Sequence, residues 1–240
     1  MSEEKAANLI STLNESPLHA DLKSWYAQPG DRLEVEVDGF IIDIVRGKLL
    51  IEIQTANLSS IKKKLHTLAE DHRVRLVYPV ARDKWIVKLA EDGKNALSRR
   101  MSPKHCQVED LFGELVRLPR LLGNPNFSLD VLLTQEEEIR RYDGTRAWRR
   151  RGWVTHERRL LKVLDKRRFD RPADLGALLP PTLAEPFTTS DLAAAIARPR
   201  RLAQRMAYCL RKMDVIEAVG KDGNAILYAR AHPDRESLKL

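Results

Sequence analysis

Cysteine is nearly absent: the 240 residues hold two, Cys106 and Cys209. They lie far apart and neither has a second ligand pair nearby. That excludes a zinc ribbon and a disulfide framework, and it fits a reducing compartment. No apolar run approaches the length of a membrane span, and no apolar segment follows the polar start Met1-Ser2-Glu3-Glu4-Lys5. A soluble, cytoplasmic protein with no membrane partner is expected. The glycine patterns of a P-loop, a dinucleotide-binding turn and a nucleophile elbow are missing. The 6 histidines are scattered without metal-ligand spacing. Internal repeats and low-complexity tracts are absent too. Positive charge, in contrast, is in excess: 42 Lys and Arg face 34 Asp and Glu, a net charge of +8. Such a balance suggests a polyanionic partner.

The first hundred residues alternate helix and strand. Apolar spacing predicts helix from about Glu3 to Tyr26, interrupted by Pro17. Gln28-Pro29-Gly30-Asp31 reads as a turn. Leu33, Val35 and Val37 alternate with charged residues, as in a half-exposed strand. Two strands follow, about Phe40 to Val45 and Leu49 to Gln54, then a helix from Ser59 to Asp71. Arg73 to Val80 and Lys84 to Leu89 read as strands. This order predicts a mixed α/β domain. A polar connector, 91–107, leads to a middle region in which Leu111 to Leu122, Gln135 to Arg141 and Trp148 to Leu164 read as helices.

The stretch Gly39-Phe40-Ile41-Ile42-Asp43-Ile44-Val45-Arg46-Gly47-Lys48-Leu49-Leu50-Ile51-Glu52-Ile53-Gln54-Thr55 carries the most chemistry. Two carboxylates and an amide interrupt apolar, β-branched runs. A charge in such a run must be paired, metal-bound or at a sheet edge, because burying it alone is costly. If Gly47-Lys48 is a type II′ turn, Arg46 faces Leu49, Val45 faces Leu50 and Asp43 faces Glu52. The two carboxylates then share a face, with Cβ atoms roughly 5 Å apart. Gln54 joins them two residues on. A divalent cation would relieve the repulsion, and hard oxygen donors suit magnesium.

Asp43, Glu52 and Gln54 in this order resemble the PD-(D/E)xK, or restriction-endonuclease-like, nucleases. The family places an acid at the end of one strand, then an acid, a spacer and a lysine on the next. Gln54 stands where the lysine is usual, as in some restriction enzymes of the superfamily. The resemblance covers about Glu15 to Leu89. It implies phosphodiester hydrolysis with Asp43 and Glu52 as ligands of Mg2+ or Mn2+. Gln54 would orient water, Glu15 would add an acid from the preceding helix, and Lys62 or Lys63 would supply positive charge.

The C-terminal segment reads as a helix capped by Thr188 with Asp191 three residues on, a longer helix from Arg200 to Met213, and a two-stranded ribbon turning at Lys221-Asp222-Gly223-Asn224. This order resembles a winged helix-turn-helix, which implies a recognition helix in the major groove. Arg198, Arg200, Arg201, Gln204, Arg205 and Tyr208 would face nucleic acid, with Lys221 and Asn224 at the wing tip. The alternative is a winged helix that packs on a protein. Between the modules runs a second basic tract that includes Arg149, Arg150 and Arg151, with Trp148 and Trp153 interleaved. It is either a phosphate track or a solvated basic helix whose tryptophans are core.

The expected architecture is therefore α/β: a mixed-sheet restriction-endonuclease-like core, then an α-rich region ending in a winged helix. Its parts are a nuclease-like domain over 1–100, a basic helical connecting region over 101–183 and a winged helix-turn-helix over 184–240. The expected function is a magnesium-dependent DNA endonuclease. The alternatives are a catalytically inactive nuclease-fold DNA-binding regulator and an RNA-binding or RNA-processing protein. A homodimer is compatible with cutting two strands.

Overall fold

The computed structural model describes residues 15–145 and 147–231. The predicted helix segment before Glu15 lies outside them. The chain divides into two compact units: Met1–Thr55, Arg75–Val108 and Asp130–Arg167 form one, and Ala56–Val74, Glu109–Leu129 and Arg168–Leu240 the other.

The first unit opens with helix α1 (Pro17–Tyr26). Ser16 caps it by accepting the His19 N–H, and Pro17 stands in its first turn, where a missing N–H costs nothing. Leu18, Leu22 and Tyr26, four residues apart, make its buried face. Strands β1 (Arg32–Val37), β2 (Phe40–Arg46) and β3 (Leu49–Ile53) then form an antiparallel meander. Asp38 and Gly39 both have positive φ in the first tight turn, and Gly47 does so in the second. Arg46 pairs with Leu49 and Val45 with Leu50, the register expected from the turn.

The chain leaves β3 through helix α2 (Lys62–Asp71) and returns as β4 (Arg73–Leu89). The Gln54 N–H reaches the Val77 carbonyl at 3.0 Å. Strands β5 (Ala96–Met101), β6 (Phe127–Tyr142) and β7 (Trp153–Phe169) complete a mixed seven-stranded sheet. Its order is β1-β2-β3-β4-β6-β7, with β5 paired to β4. Leu18, Leu22 and Tyr26 pack against Ile44, Ile51, Ile53, Val77 and Leu132. The α/β class is as expected.

The middle of the chain is not the helical connector expected over 101–183. Gln135 to Arg141 and Trp148 to Leu164 lie largely in β6 and β7, two long paired strands. Thr134, Glu136 and Glu138 are buried while Gln135 and Glu137 between them are half-buried, which is the two-residue period of a strand. Glu136 pairs with Arg158 at 3.7 Å, and Glu138 meets Arg140 at 2.7 Å and Lys84 at 3.2 Å. Cations thus take the place that apolar side chains usually hold in a buried strand. The expected strands Arg73 to Val80 and Lys84 to Leu89 are one continuous β4, and the connector 91–107 contains β5. The boundaries drawn at 100 and 183 likewise give way to the two interleaved units.

The second unit holds α2, a short helix α3 (Phe112–Leu115), α4 (Pro172–Gly176), α5 (Thr189–Ala195), α6 (Arg200–Lys212) and the ribbon β8 (Ile216–Asp222) with β9 (Ala225–Arg230). Thr188 and Asp191 form the expected reciprocal cap of α5. α6 packs on α3, α4, α5 and β8. Its inward residues Ala203, Met206, Ala207, Cys209 and Leu210 follow helical spacing. Phe187 exchanges two 2.8 Å backbone hydrogen bonds with Tyr228 and so pins the segment before α5 to β9.

Candidate functional site

A pocket of about 330 Å³ opens beside the first turn of α1, lined among others by Glu15, His19, Lys23, Glu34, Asp43 and Thr55. Glu15, His19 and Lys23 recur every four residues, so one face of the helix start presents all three. β1 and β2 supply the remainder through a local irregularity. Their pairing runs from Leu33 with Ile44 to Val35 with Ile42, stepping over Glu34 and Asp43. Glu34 has φ of 52°, a left-handed conformation that costs a non-glycine residue about 1–2 kcal/mol. Both carboxylates turn into the pocket there.

The polar groups form a continuous chain. Asp43 Oδ2 accepts the Ile53 N–H at 2.7 Å and lies 3.3 Å from His19 Nε2. His19 Nδ1 meets Glu15 Oε1 on its other side. Lys23 Nζ lies 2.7 Å from Glu15 and 2.6 Å from Glu34. Burial alone would lower the His19 pKa. The hydrogen bond and charge of Asp43, joined by those of Glu15, outweigh it and raise the value to about 9. The imidazole is thus a cation at neutral pH, donating from both ring nitrogens. The Lys23 pKa is raised as well: burial opposes the rise, and Glu15 and Glu34 overcome it.

The sequence-derived set separates into two groups. Asp43 and Glu15 come together through His19. Glu52 and Gln54 do not join them, and neither lines the pocket among the described residues. Ile51 and Ile53 pack into the core beneath α1, so the residues that alternate with them, Glu52 and Gln54, point to the opposite face of the sheet. Glu52 is 4% exposed there. The shared face expected for Asp43, Glu52 and Gln54 is therefore corrected. The pairing of β2 with β3 stays regular only as far as Ile44 with Ile51, and Asp43 leaves it to bond the Ile53 backbone.

This arrangement does not fit a magnesium or manganese ion on Asp43 and Glu52. The two carboxylates stand on opposite faces of the sheet. The acids that do meet, Glu15 and Asp43, are already neutralised by His19 and Lys23. Among the described residues no cluster of three or more His, Cys, Asp and Glu is arranged to hold a metal. Lys62 and Lys63 are exposed on α2.

Sequence reasoning overlooked His19, Lys23 and Glu34. The signal was present in the four-residue spacing of Glu15, His19 and Lys23, which sets one acid and two basic side chains on the same side of the helix start.

The basic residues also sort by role. On α6, Arg201, Gln204, Tyr208 and Arg211 are exposed, and their spacing places them on one outward stripe, with Arg200 exposed at the helix start. Arg205 instead turns inward and donates to the Gly113 carbonyl at 2.8 Å. Arg198 lies 3.8 Å from Asp110, with both side chains 17% exposed. Both hold the unit together rather than facing outward. Lys221 and Asn224 are exposed at the tip of the ribbon. Arg149, Arg150 and Arg151 are exposed at the turn between β6 and β7. Cys209 is buried in α6, and that burial, against a smaller opposing effect of Arg205, pushes its thiol up to about 12, which removes it as a nucleophile. No helix among the described residues is long and apolar enough to cross a membrane.

Residues 16–170 match a domain of unknown function, DUF8091. An uncharacterized protein of Treponema pallidum (strain Nichols) is 32% identical over 226 residues, which is 93% of this chain and 88% of that protein. No solved structure matches the chain.

Proposed function

The chain belongs to the DUF8091 family, and we propose that it is a nucleic-acid-binding protein, with DNA as the first partner, joining a nuclease-like core to a winged helix-turn-helix. The observation that carries this reading is the outward stripe of α6. Arg201, Gln204, Tyr208 and Arg211 are exposed together, and guanidinium and amide groups on one helix face suit base edges and phosphates. Around that stripe, the strand contact of Phe187 with Tyr228, the helices α5 and α6 and the ribbon follow the order of a winged helix. The net charge of +8 favours the same kind of partner.

A second reading, the metal-dependent DNA endonuclease, draws on one observation. The order α1-β1-β2-β3-α2-β4 brings an acid just before the cap of the first helix, Glu15, beside an acid of β2, Asp43. The opposite facing of Glu52 and Gln54 weighs against it and favours the regulator, whose acidic pocket is closed by its own cations. The same charge suits RNA.

The deciding experiment incubates the protein with duplex DNA, branched DNA and RNA, with magnesium or manganese, and measures binding alongside cleavage. The regulator reading expects salt-sensitive binding to DNA, weakened by Arg201→Ala, and no cleavage. Cleavage abolished by both Asp43→Ala and Glu52→Ala would establish the endonuclease instead. Absence of binding to any nucleic acid would overturn both.

A further inference from the structure

Trp148 is 81% exposed, the barest large apolar side chain among the described residues. It stands at the turn between β6 and β7, and Arg149, Arg150 and Arg151 follow it, all exposed. We propose that this turn is a stacking wedge: Trp148 lies against an unpaired base at a single-strand–duplex junction of DNA, and the three arginines hold the adjoining phosphates. The inference rests on the DNA-binding reading above and specifies the DNA structure preferred.

The turn is built, which separates it from an incidental loop. Residues 148–150 form a single helical turn, and Ala147 and Arg151 on either side of it both adopt left-handed backbone, with φ of 57° and 52°. Each such residue costs about 1–2 kcal/mol outside glycine, so the surrounding contacts must impose the shape. They are identifiable. Arg150 N–H donates to the Ala147 carbonyl at 2.7 Å, Arg151 N–H to Trp148 at 3.0 Å, and Asp143 N–H to Gly152 at 2.9 Å. Gly152, at φ of 82°, lies so close to the Tyr142 ring that a Cβ would stand 2.6 Å from it. Tyr142 in turn meets Trp153 edge-on at 5.6 Å, and Lys88 Nζ caps Trp153 at 4.4 Å. The second tryptophan anchors the turn, whereas the first is displayed by it.

The chemistry selects the ligand. An indole presents a large flat face, and a free base has a matching π-face, whereas inside a duplex both faces of each base are already stacked. The partner therefore offers an unpaired base. The Arg149 guanidinium lies 5.1 Å from the Trp148 ring centre, so a stacked base would bring its phosphate within the reach of that cation. Arg150 is steered by a 3.0 Å bond to Thr155. Three guanidinium groups in succession match a polyanionic strand rather than an apolar protein groove.

The test uses the full chain and two labelled DNAs, a blunt duplex and the same duplex carrying one single-stranded arm. Affinities are read by anisotropy, and tryptophan fluorescence is followed in parallel. The parent should prefer the armed duplex and lose indole fluorescence on binding it. Trp148→Ala should weaken armed-duplex binding about ten-fold and abolish that quenching, with blunt-duplex binding unchanged. Trp148→Phe should keep most of the affinity, and the exposure of the site makes misfolding of either variant no concern. Equal affinity of the parent for the two DNAs, or an unaltered Trp148→Ala variant, overturns the wedge. If blunt-duplex binding still depends on Arg201 in that case, the wider DNA-binding reading stands. If the parent binds neither DNA, both fall.

Discussion

Asp43 Oδ2 lies 3.3 Å from His19 Nε2, on the side of the imidazole opposite Glu15. A cation clamped between two carboxylates makes stability depend on pH in a defined direction. The folded pKa of His19, about 9, exceeds its unfolded value of 6.5. The contribution is therefore fully present below pH 6.5 and is lost as pH rises through 9. A shift of this size corresponds to about 3 kcal/mol. Urea unfolding at pH 6 and at pH 10 should show the parent losing more stability than His19→Gln by about that amount. Parallel pH profiles for the two proteins would remove His19 from this role.

Asp43 should also set the charge state of its neighbour. In Asp43→Asn the largest force raising the His19 pKa disappears, while the burial that lowers it remains. The imidazole resonance, followed by NMR through a pH titration, should then move its midpoint down from about 9. Glu52→Gln should leave that midpoint in place, since Glu52 points to the other face of the sheet. If both variants shifted His19 equally, the two carboxylates would share a site after all.

The same separation predicts the response to metal. A ligand that binds only the folded chain raises the melting temperature according to its concentration over Kd. With Asp43 and Glu52 apart, millimolar magnesium or manganese should leave the melting temperature of the parent where a chelator leaves it. Glu52→Ala should instead change stability by the same amount with and without metal, because Glu52 is buried on the face away from Asp43. A metal-dependent rise in the parent that both Asp43→Ala and Glu52→Ala remove would contradict this.

How far these features were legible in the sequence depended on what filled the buried positions. The capped α5, the amphipathic α6 and the ribbon turning at Gly223 follow rules of apolar spacing and turn chemistry, and they lie where expected. The Gly47 turn likewise gave the right register for Val45 and Leu50. β6 was concealed because its buried, alternating residues are Thr134, Glu136 and Glu138, residues that read as polar surface in a helix-forming stretch. Their burial depends on Lys84, Arg140 and Arg158, and Lys84 and Arg158 come from other strands, which local pattern does not reveal. Asp43 was placed on the wrong face for a smaller reason. Glu34, between the pairs Leu33–Ile44 and Val35–Ile42, leaves extended backbone for a left-handed φ of 52°, a local departure that the apolar alternation of the sequence does not reveal.

Glu138 offers the acid counterpart of His19. Burial would raise its pKa, but the hydrogen bond from Arg140 and the charges of Lys84 and Arg140 bring it down to about 2 from 4.5. A depressed carboxylate contributes stability that is present above 4.5 and lost as pH falls through 2. The parent should therefore lose about 3 kcal/mol more than Glu138→Gln between pH 5 and pH 2, while being the more stable of the two near neutrality. Acid titration of stability by circular dichroism checks both parts. Identical acid midpoints would mean that the pairing across β4 and β6 contributes nothing.

Arg201 and Arg205 lie four residues apart on α6 and should respond to truncation in opposite ways. Arg201 is exposed, so Arg201→Ala should leave the melting temperature within experimental error and lower DNA affinity. It should also reduce the slope of log affinity against log salt by about 1, the loss of one phosphate contact. Arg205 donates to the Gly113 carbonyl and packs between α6 and α3. Arg205→Ala should cost about 1–3 kcal/mol of folding stability, because the carbonyl loses a charged donor and the stem leaves a gap. Its salt slope should match the parent wherever the variant is folded. Stability and salt dependence measured together on the two variants distinguish a residue that faces a polyanion from one that fastens the helix carrying it. A reversed pattern would move the nucleic-acid face of α6 from the Arg201 stripe to the side now turned inward.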